Sequence, residues 1–130
     1  MGCVKTIHDD DCTRPHADQA IETCYLNEKL SIIHEMSQAI GIHDIWSHPY
    51  ILDIDLDYFM TAKSIHPADP TLFYRLLESS IAVTIATEPS YVSLCRLRGE
   101  KITAKSLLRD LFDHITHALS IRNEVEDDCG

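Results

Sequence analysis

The fold depends most on one stretch of the chain, ILDIDLDYF at residues 51–59. Apolar and acidic residues alternate in it, and successive side chains of a β-strand point to opposite faces. The alternation predicts a strand with Asp53, Asp55 and Asp57 on one face and apolar side chains on the other. Carboxylates in a row repel one another, and burying one unpaired is costly. Because a hard divalent cation would offset that cost, the strand is a candidate metal site.

Two more strands are expected, at residues 4–7 and 81–87, and the second is nearly all apolar, as in a sheet covered on both faces. Helical periodicity predicts helices at residues 19–40, 70–79 and 104–120. Strands alternating with helices are typical of an α/β fold with a parallel sheet and right-handed crossovers. Ligand sites in such sheets lie beyond the carboxyl ends of the strands.

Local signals refine these boundaries. The expected N-terminal helix caps are Asp18, Asp69 and Thr103. Pro15 is expected to break the chain before the first helix, whose apolar stripe runs from Ile21 through Ile32, Ile33 and Met36 to Ile40 and should face the core. Residues 90–100 are expected to be irregular, with room for an additional strand at 91–97.

Length and composition bound the class of protein. The 130 residues are 45% hydrophobic, which predicts one domain at residues 1–121 and an acidic flexible tail at 122–130. The formal charge of -10 argues against nucleic-acid binding, which needs Lys and Arg surfaces. Five cysteines without a CxxC pair argue against a disulfide framework and favour the reducing cytoplasm.

A membrane association is not expected. No apolar run approaches the roughly 18 residues of a membrane span. Residues 1–6 match the myristoylation pattern, with Cys3 as a possible second lipid site. The acidic run that follows would be repelled by an anionic membrane, and a polybasic second signal is missing, so we expect no lipid anchor.

All three expected strands end in acidic residues, which should meet at one edge of the sheet. After the first strand, His8 and Asp10 offer a mixed nitrogen and oxygen ligand set of the kind that Mn, Fe, Co and Zn accept. After the third, Glu88 would bind a substrate cation such as guanidinium, or pair with a nearby Lys or Arg. His16 is close enough along the chain to reach this edge. We expect His114 and His117 to lie on a solvated helix surface.

Residues 51–59 resemble the metal-binding strand of the arginase/agmatinase (ureohydrolase) superfamily, in which an Asp-x-Asp pair ends a core strand. The chain is more similar to a divergent branch, the UPF0489-type peptide arginases, through TIATEPSYV at residues 84–92 and on to Gly99 and Glu100. The resemblance covers roughly residues 49–119. It implies a minimal three-layer, arginase-like version of the α/β fold.

The resemblance also implies a site with two manganese ions. Asp53 and Asp55 match the Asp-x-Asp ligands, and Glu88 matches the glutamate that holds the guanidinium. His8 and Asp10 match ligands of the first strand, where Thr6 stands at the position of the family's first aspartate. The implied reaction converts arginine, free or preferably within a peptide, to ornithine and urea, with Asp55 or His16 moving the proton.

Two alternatives remain open. Asp55 and Asp57 after an apolar run also resemble the haloacid-dehalogenase phosphatase signature, in which the first Asp is the nucleophile and the second a general acid. That family has Thr or Val where Phe59 stands here. The other alternative is a non-catalytic domain that binds a metal or a partner. The edges of a small sheet also leave room for a homo-oligomer.

Overall fold

The chain folds into helices around a small parallel sheet. A computed structural model describes the backbone of residues 10–128 and the side chains of residues 14–120. Short 3-10 turns lie at Ile45–Ser47, Leu56–Tyr58 and Lys63–Ile65. The regular elements follow one another along the chain as α1 (Asp10–Ala17), α2 (Thr23–Ala39), β1 (Ile51–Asp55), α3 (Thr71–Ser79), β2 (Ala82–Ala86), α4 (Pro89–Cys95) and α5 (Ala104–Asp128).

The sheet pairs β1 with β2 in parallel, with Ile51 opposite Ala82 and Asp55 opposite Ala86. The α/β class and the parallel sheet therefore agree with the prediction. β1 is shorter than expected, because the chain turns into a 3-10 helix at Leu56–Tyr58. The strand expected at residues 4–7 lies outside the described residues.

Only one face of this sheet is covered by the described residues. Ile54 is buried, whereas Asp53 and its partner Thr84 are exposed on the opposite face. Residues 10–128 do not provide the expected cover on the second face of this strand pair. The covered face packs on a core whose fully buried side chains include Leu56, Phe59, Ile65, Val92, Leu107 and Leu111.

The start of α2 is set by contacts with the loop before α3. The Glu22 carboxylate accepts hydrogen bonds from the backbone N–H groups of Ala68 and Asp69, and the N–H and hydroxyl of Thr23 both donate to the Asp69 carbonyl. Asp18 is not the cap that we expected, since α2 begins at Thr23 and one Asp18 carboxylate oxygen is buried without a hydrogen-bond partner in the described structure.

The segment before α2 also differs from the prediction. Pro15 lies inside α1 and does not break the chain there. A proline inside a helix removes one backbone hydrogen bond and its ring crowds the carbonyl four residues earlier, so Pro15 is an unfavourable residue that the short α1 nevertheless contains. The Arg14 guanidinium holds α1 in place, because it donates to the Glu100 carboxylate and to the Arg98 carbonyl, both at 3.0 Å.

The apolar stripe that we expected to face the core lies on the outside of α2. Ile32, Ile33, Met36 and Ile40 are between 44% and 76% exposed. The inward side instead carries Leu26, which packs against the core, and Ser37, which is buried and donates its hydroxyl to the Ile33 carbonyl. Of the predicted stripe, only Ile21 is buried, and it precedes the helix.

The other helices agree with the sequence to different degrees. α3 begins within one residue of its predicted start, and Asp69 accepts hydrogen bonds from the N–H and hydroxyl of Thr71, which lower the pKa of Asp69. Thr103 caps α5 as expected, because its hydroxyl accepts the Ser106 N–H and the Ser106 hydroxyl accepts the Thr103 N–H.

Two segments form more helix than expected. α4 occupies the segment predicted to be irregular or a strand, and Pro89 stands at its first position, where proline is favoured. α5 continues to Asp128, into the predicted flexible tail at 122–130. Across residues 10–128, no helix combines the length and the apolar composition that crossing a bilayer requires.

Candidate functional site

A small acidic pocket lies at the carboxyl ends of both strands. Its volume is about 170 Å³, and it is lined by Asp55, Asp57, Ala86, Glu88 and Tyr91. Asp55 and Ala86 are the last residues of β1 and β2 and lie opposite each other, so the two strands open onto the same edge of the sheet. The parallel sheet thus brings Asp55 and Glu88 together, as the sequence predicts.

Asp57 reaches this acidic pocket because the strand ends early. The 3-10 turn at Leu56–Tyr58 replaces the strict alternation after Asp55, and the fully buried Leu56 anchors the turn in the core. The arginase resemblance gives Asp57 no role, although the run of three aspartates in the sequence already marked it. The phosphatase alternative did use it.

Tyr91 was missed in the sequence because residues 90–100 were expected to be irregular. The structure places it in the first turns of α4, half-exposed and lining the acidic pocket. The signal that could have found it is Pro89, since proline at a first helical position predicts a helix from there. An aromatic face beside carboxylates is suited to a cationic group.

Asp53 has a different environment from Asp55. The Thr84 hydroxyl donates to its Oδ1 at 2.8 Å, across the exposed face of the sheet. Asp53 does not line the acidic pocket but borders a neighbouring cavity of about 270 Å³, which Asp55 also borders. The structure therefore separates two predicted ligands, Asp53 and Asp55, between two cavities that meet at Asp55.

The described side chains do not form a complete metal site. Within residues 14–120, no three His, Cys, Asp or Glu side chains are grouped so that they could hold an ion, although three carboxylates line the acidic pocket. Their oxygens suit Mn or Mg in kind, but they are spread around the pocket walls. His16 lies exposed on α1 and is not part of the pocket lining.

Two further predicted ligands, His8 and Asp10, precede the described side chains. His8 lies outside the described residues. Asp10 is the first residue of α1, and its side chain lies outside the described side chains.

A histidine on α5 has a structural role that the sequence did not reveal. The prediction of a solvated surface is wrong for His114, which is half-buried. Its Nε2 lies 2.5 Å from the Ile65 carbonyl oxygen, and its Nδ1 lies 2.8 Å from the Tyr74 hydroxyl. Because a carbonyl only accepts, Nε2 donates, and in the neutral ring Nδ1 accepts from Tyr74. Burial raises the pKa of Tyr74.

His114 therefore ties α3, α5 and the turn at Lys63–Ile65 together, with both ring nitrogens engaged. His117 is exposed, as expected.

A larger cavity lies between α2 and α3 and shares no described lining residue with the acidic pocket. It has a volume of about 590 Å³, and its walls include His34, Trp46, Tyr50 and Arg75. The Tyr50 hydroxyl is engaged with the Leu76 carbonyl at 2.8 Å. No residue singled out in the sequence borders this cavity, so the acidic pocket is the better candidate despite its smaller size.

The acidic pocket has the chemistry to attract a small cation. Among residues 14–120, its lining carries three acidic and no basic side chains, and the chain as a whole is strongly acidic. The electrostatic field of such a lining favours a positively charged ligand over an anion. No protein-family model, no curated protein and no solved structure matches this chain.

Proposed function

We propose that this protein is a metal-dependent guanidine hydrolase that converts arginine, preferably within a peptide, to ornithine and urea. The observation that carries the proposal is the acidic pocket, in which Asp55, Asp57 and Glu88 meet at the carboxyl ends of two parallel strands. The resemblance of residues 51–59 and 84–92 to peptide arginases agrees with it. With this function we propose a three-layer, arginase-like fold and, from the cysteine usage, a cytoplasmic location.

Glu88 holds the guanidinium in this proposal. A carboxylate and a guanidinium form paired, charge-assisted hydrogen bonds, which are the strong and oriented ones. Asp57 adds a second negative charge, and the Tyr91 ring supplies a face on which a planar cation can lie. The described side chains of the lining include no basic group that would compete with the guanidinium for Glu88.

The size of the pocket favours a side chain presented from outside. Sites that enclose a whole small molecule usually measure about 300–1,000 Å³. At about 170 Å³, the acidic pocket accommodates a head group and leaves the rest of the ligand beyond its mouth. A peptidyl arginine meets that requirement as well as free arginine does, and its backbone needs no enclosing lid.

Manganese would supply a hydroxide at neutral pH, since a bound metal lowers the pKa of its water. Two ions are proposed, with Asp53 and Asp55 as ligands and His8 and Asp10 completing the set; Fe, Co and Zn accept the same ligand types. The other steps are assigned to side chains of this protein. Glu88 orients the guanidinium, while Asp55 or His16 carries the proton to the departing amine.

One observation favours a second candidate, a haloacid-dehalogenase-like phosphatase. Its two aspartates, Asp55 and Asp57, line the same pocket, as a nucleophile and a general acid must. Against it, a phosphate group would meet three carboxylates and, among the lining side chains that the structure describes, no Lys or Arg. The electrostatics of the pocket therefore rank this candidate second.

The test is a urea assay with added Mn, on an arginine-containing peptide and on free arginine. Glu88→Gln should lower kcat/KM about tenfold, because it removes the charge from a charge-assisted pair with the guanidinium, and hydrogen bonds to charged groups contribute about 1.5–3 kcal/mol, against the roughly 1.4 kcal/mol that tenfold represents. Asp55→Ala should abolish urea release. The matched control is Glu78→Gln on α3, a glutamate outside the pocket lining, and it should retain activity.

Release of phosphate from p-nitrophenyl phosphate with Mg, and no urea, would replace the proposal with the phosphatase. If the folded protein releases neither product, the non-catalytic alternative stands, and the proposal is wrong.

A further inference from the structure

The larger cavity, of about 590 Å³, lies beyond the contact that joins the amino ends of α2 and α3. At that contact the Thr23 N–H donates to the Asp69 carbonyl at 3.1 Å, and the Thr23 hydroxyl accepts the Leu72 N–H at 3.2 Å. Farther along, side chains of both helices border the cavity, and Trp46 and Tyr50 complete its wall. We call this space the helix cavity.

Polar residues line the helix cavity at helical spacing. Asn27, Ser31 and Glu35 recur every four residues along α2, and Arg75 and Ser79 do the same on α3, so each set lies along one side of its helix. Two helices that pack directly against each other bury apolar side chains at their contact. The polar residues on both walls therefore indicate a space between the helices rather than a packed seam.

Three of these polar side chains lack partners in the part of the chain whose side chains are described. Asn27, Glu35 and Arg75 make no side-chain hydrogen bond or ion pair with any of residues 14–120. Glu35 and Arg75 carry opposite charges and line the same cavity, yet they do not form an ion pair with each other. A ligand that carries both a negative and a positive group would satisfy both of them.

The rest of the wall suits an apolar group. Trp46 is 43% exposed, and Leu30 and Leu72 lie on the two helices. Tyr50 is fixed beside them, because its hydroxyl donates to the Leu76 carbonyl at 2.8 Å. The cavity volume lies within the range of about 300–1,000 Å³ that is usual for sites enclosing a small molecule.

The helix cavity lies at the amino ends of the strands. Tyr50 is the residue before β1, whereas the acidic pocket is lined by Asp55 at the end of that strand. The strand that the sequence predicts at residues 4–7 belongs to the sheet in the proposed function, with His8 at its carboxyl edge. That segment is therefore expected at the sheet and the acidic pocket, not in the helix cavity.

We propose that the helix cavity binds a free α-amino acid with a large apolar side chain. Arg75 pairs with the carboxylate, Glu35 pairs with the ammonium group, and the apolar side chain lies against Trp46. An anion alone would be repelled by Glu35, and a cation alone would be repelled by Arg75. The proposal does not rest on guanidine hydrolysis, since no described residue lines both the helix cavity and the acidic pocket.

The test uses the only tryptophan of the chain as its reporter. L-phenylalanine is titrated into the full chain, and Trp46 emission is excited at a wavelength that phenylalanine does not absorb. We expect a saturable change in emission, with one ligand per chain by calorimetry. 3-Phenylpropionate lacks the ammonium group and 2-phenylethylamine lacks the carboxylate, so each should bind about tenfold more weakly, because one charge-assisted pair is lost.

Variants assign the two charged groups. Arg75→Gln should weaken the binding of both L-phenylalanine and 3-phenylpropionate about tenfold, whereas Glu35→Gln should weaken only L-phenylalanine. The matched controls are Arg109→Gln on α5 and Glu28→Gln on α2, two exposed residues outside the lining, and they should bind as the wild type does. Ser31→Phe places a ring in the cavity and should abolish binding while the circular dichroism spectrum stays unchanged.

Acrylamide quenching shows whether the helix cavity is open in the free protein. Trp46 should be quenched readily without ligand, and L-phenylalanine should reduce the quenching. A Trp46 that is already protected in the free protein would show that another part of the chain or a second copy fills the cavity, and would overturn the proposal.

Three other results would also overturn it. These are equal affinities for L-phenylalanine and the two singly charged ligands, binding that survives Ser31→Phe, and a failure of both L-phenylalanine and L-leucine to bind.

Discussion

Two amphipathic helices of this protein use their apolar sides in opposite ways. α5 buries Leu107, Leu111 and Ala118 completely. α2 leaves Met36 in solvent at 66% exposure, and Ile40, the residue directly after the helix, is 76% exposed. Both helices carry apolar residues at helical spacing in the sequence.

The difference follows from the number of neighbours. α5 contacts α3, α4 and the 3-10 turns at Leu56–Tyr58 and Lys63–Ile65, while the main partner of α2 in the described structure is α3. Periodicity identifies the apolar side of a helix, but the burial of that side depends on whether another element covers it. The effects of substitutions should therefore depend on the neighbours of a residue more than on its place in the stripe.

Leu111→Ala should have the largest effect. The side chain is fully buried, so its truncation should lower the free energy of unfolding by about 2–5 kcal/mol. Urea denaturation followed by circular dichroism measures it. The control is Leu119→Ala on the same helix, where the side chain is 44% exposed and the loss should be well under half as large. Equal losses would mean that the outer side of α5 is also covered.

Tyr74→Phe should have the next largest effect. It removes the hydroxyl that donates to His114 Nδ1 and leaves a half-buried acceptor unsatisfied, which should cost about 1–3 kcal/mol of stability. The matched change on α2 is Tyr25→Phe, where the ring that lies 5.3 Å from the Lys29 ammonium is retained. Tyr25→Phe should change the free energy of unfolding by no more than about 0.5 kcal/mol. A similar loss of stability in both variants would contradict the structural role of the His114 hydrogen bond.

Tyr58→Phe tests the contact between the 3-10 turn that follows β1 and the segment that precedes α2. The Tyr58 hydroxyl donates to the Ala20 carbonyl at 2.7 Å, and burial, then the nearby Tyr25, raise the pKa of Tyr58 to about 12. At neutral pH the variant should lose about 1 kcal/mol of stability.

The pH dependence has a defined sign. Because the folded-state pKa of Tyr58 is raised, its contribution is complete below pH 10, the usual value, and is lost as the pH rises to about 12. Urea denaturation at pH 8, 10 and 11.5 should therefore show a steeper fall for the wild type than for Tyr58→Phe. Parallel curves would contradict the raised pKa.

The sequence predicted the elements whose signals are local. Alternation around Asp53 and Asp55 located β1, Thr103 marked the start of α5, and Pro70 marked α3 within one residue. It failed where distant contacts decide. α2 starts at Thr23 because Glu22 binds the loop before α3, a partner 46 residues away along the chain that no local pattern reveals.

The candidate site follows the same division. Asp55 and Glu88 meet because parallel strands end at one edge, which the order of elements already predicts. Asp57 and Tyr91 join them through a 3-10 turn and a short helix that the sequence analysis did not anticipate. Asp53 does not line the acidic pocket. Its carboxylate instead accepts a hydrogen bond from Thr84, which lies opposite it, and that pairing depends on the register of the two strands.

Met36→Lys should have the smallest effect and is the most direct test of the comparison between the helices. A lysine at a position that is 66% exposed retains helix propensity, so stability should change by no more than about 0.5 kcal/mol. Denaturation should be run at two protein concentrations, together with sedimentation. A loss above about 1.5 kcal/mol that grows with protein concentration would show that the outer face of α2 is buried between copies, since self-association stabilises by mass action. A loss of that size independent of concentration would mean that the chain itself covers Met36, and the contrast with α5 would then disappear.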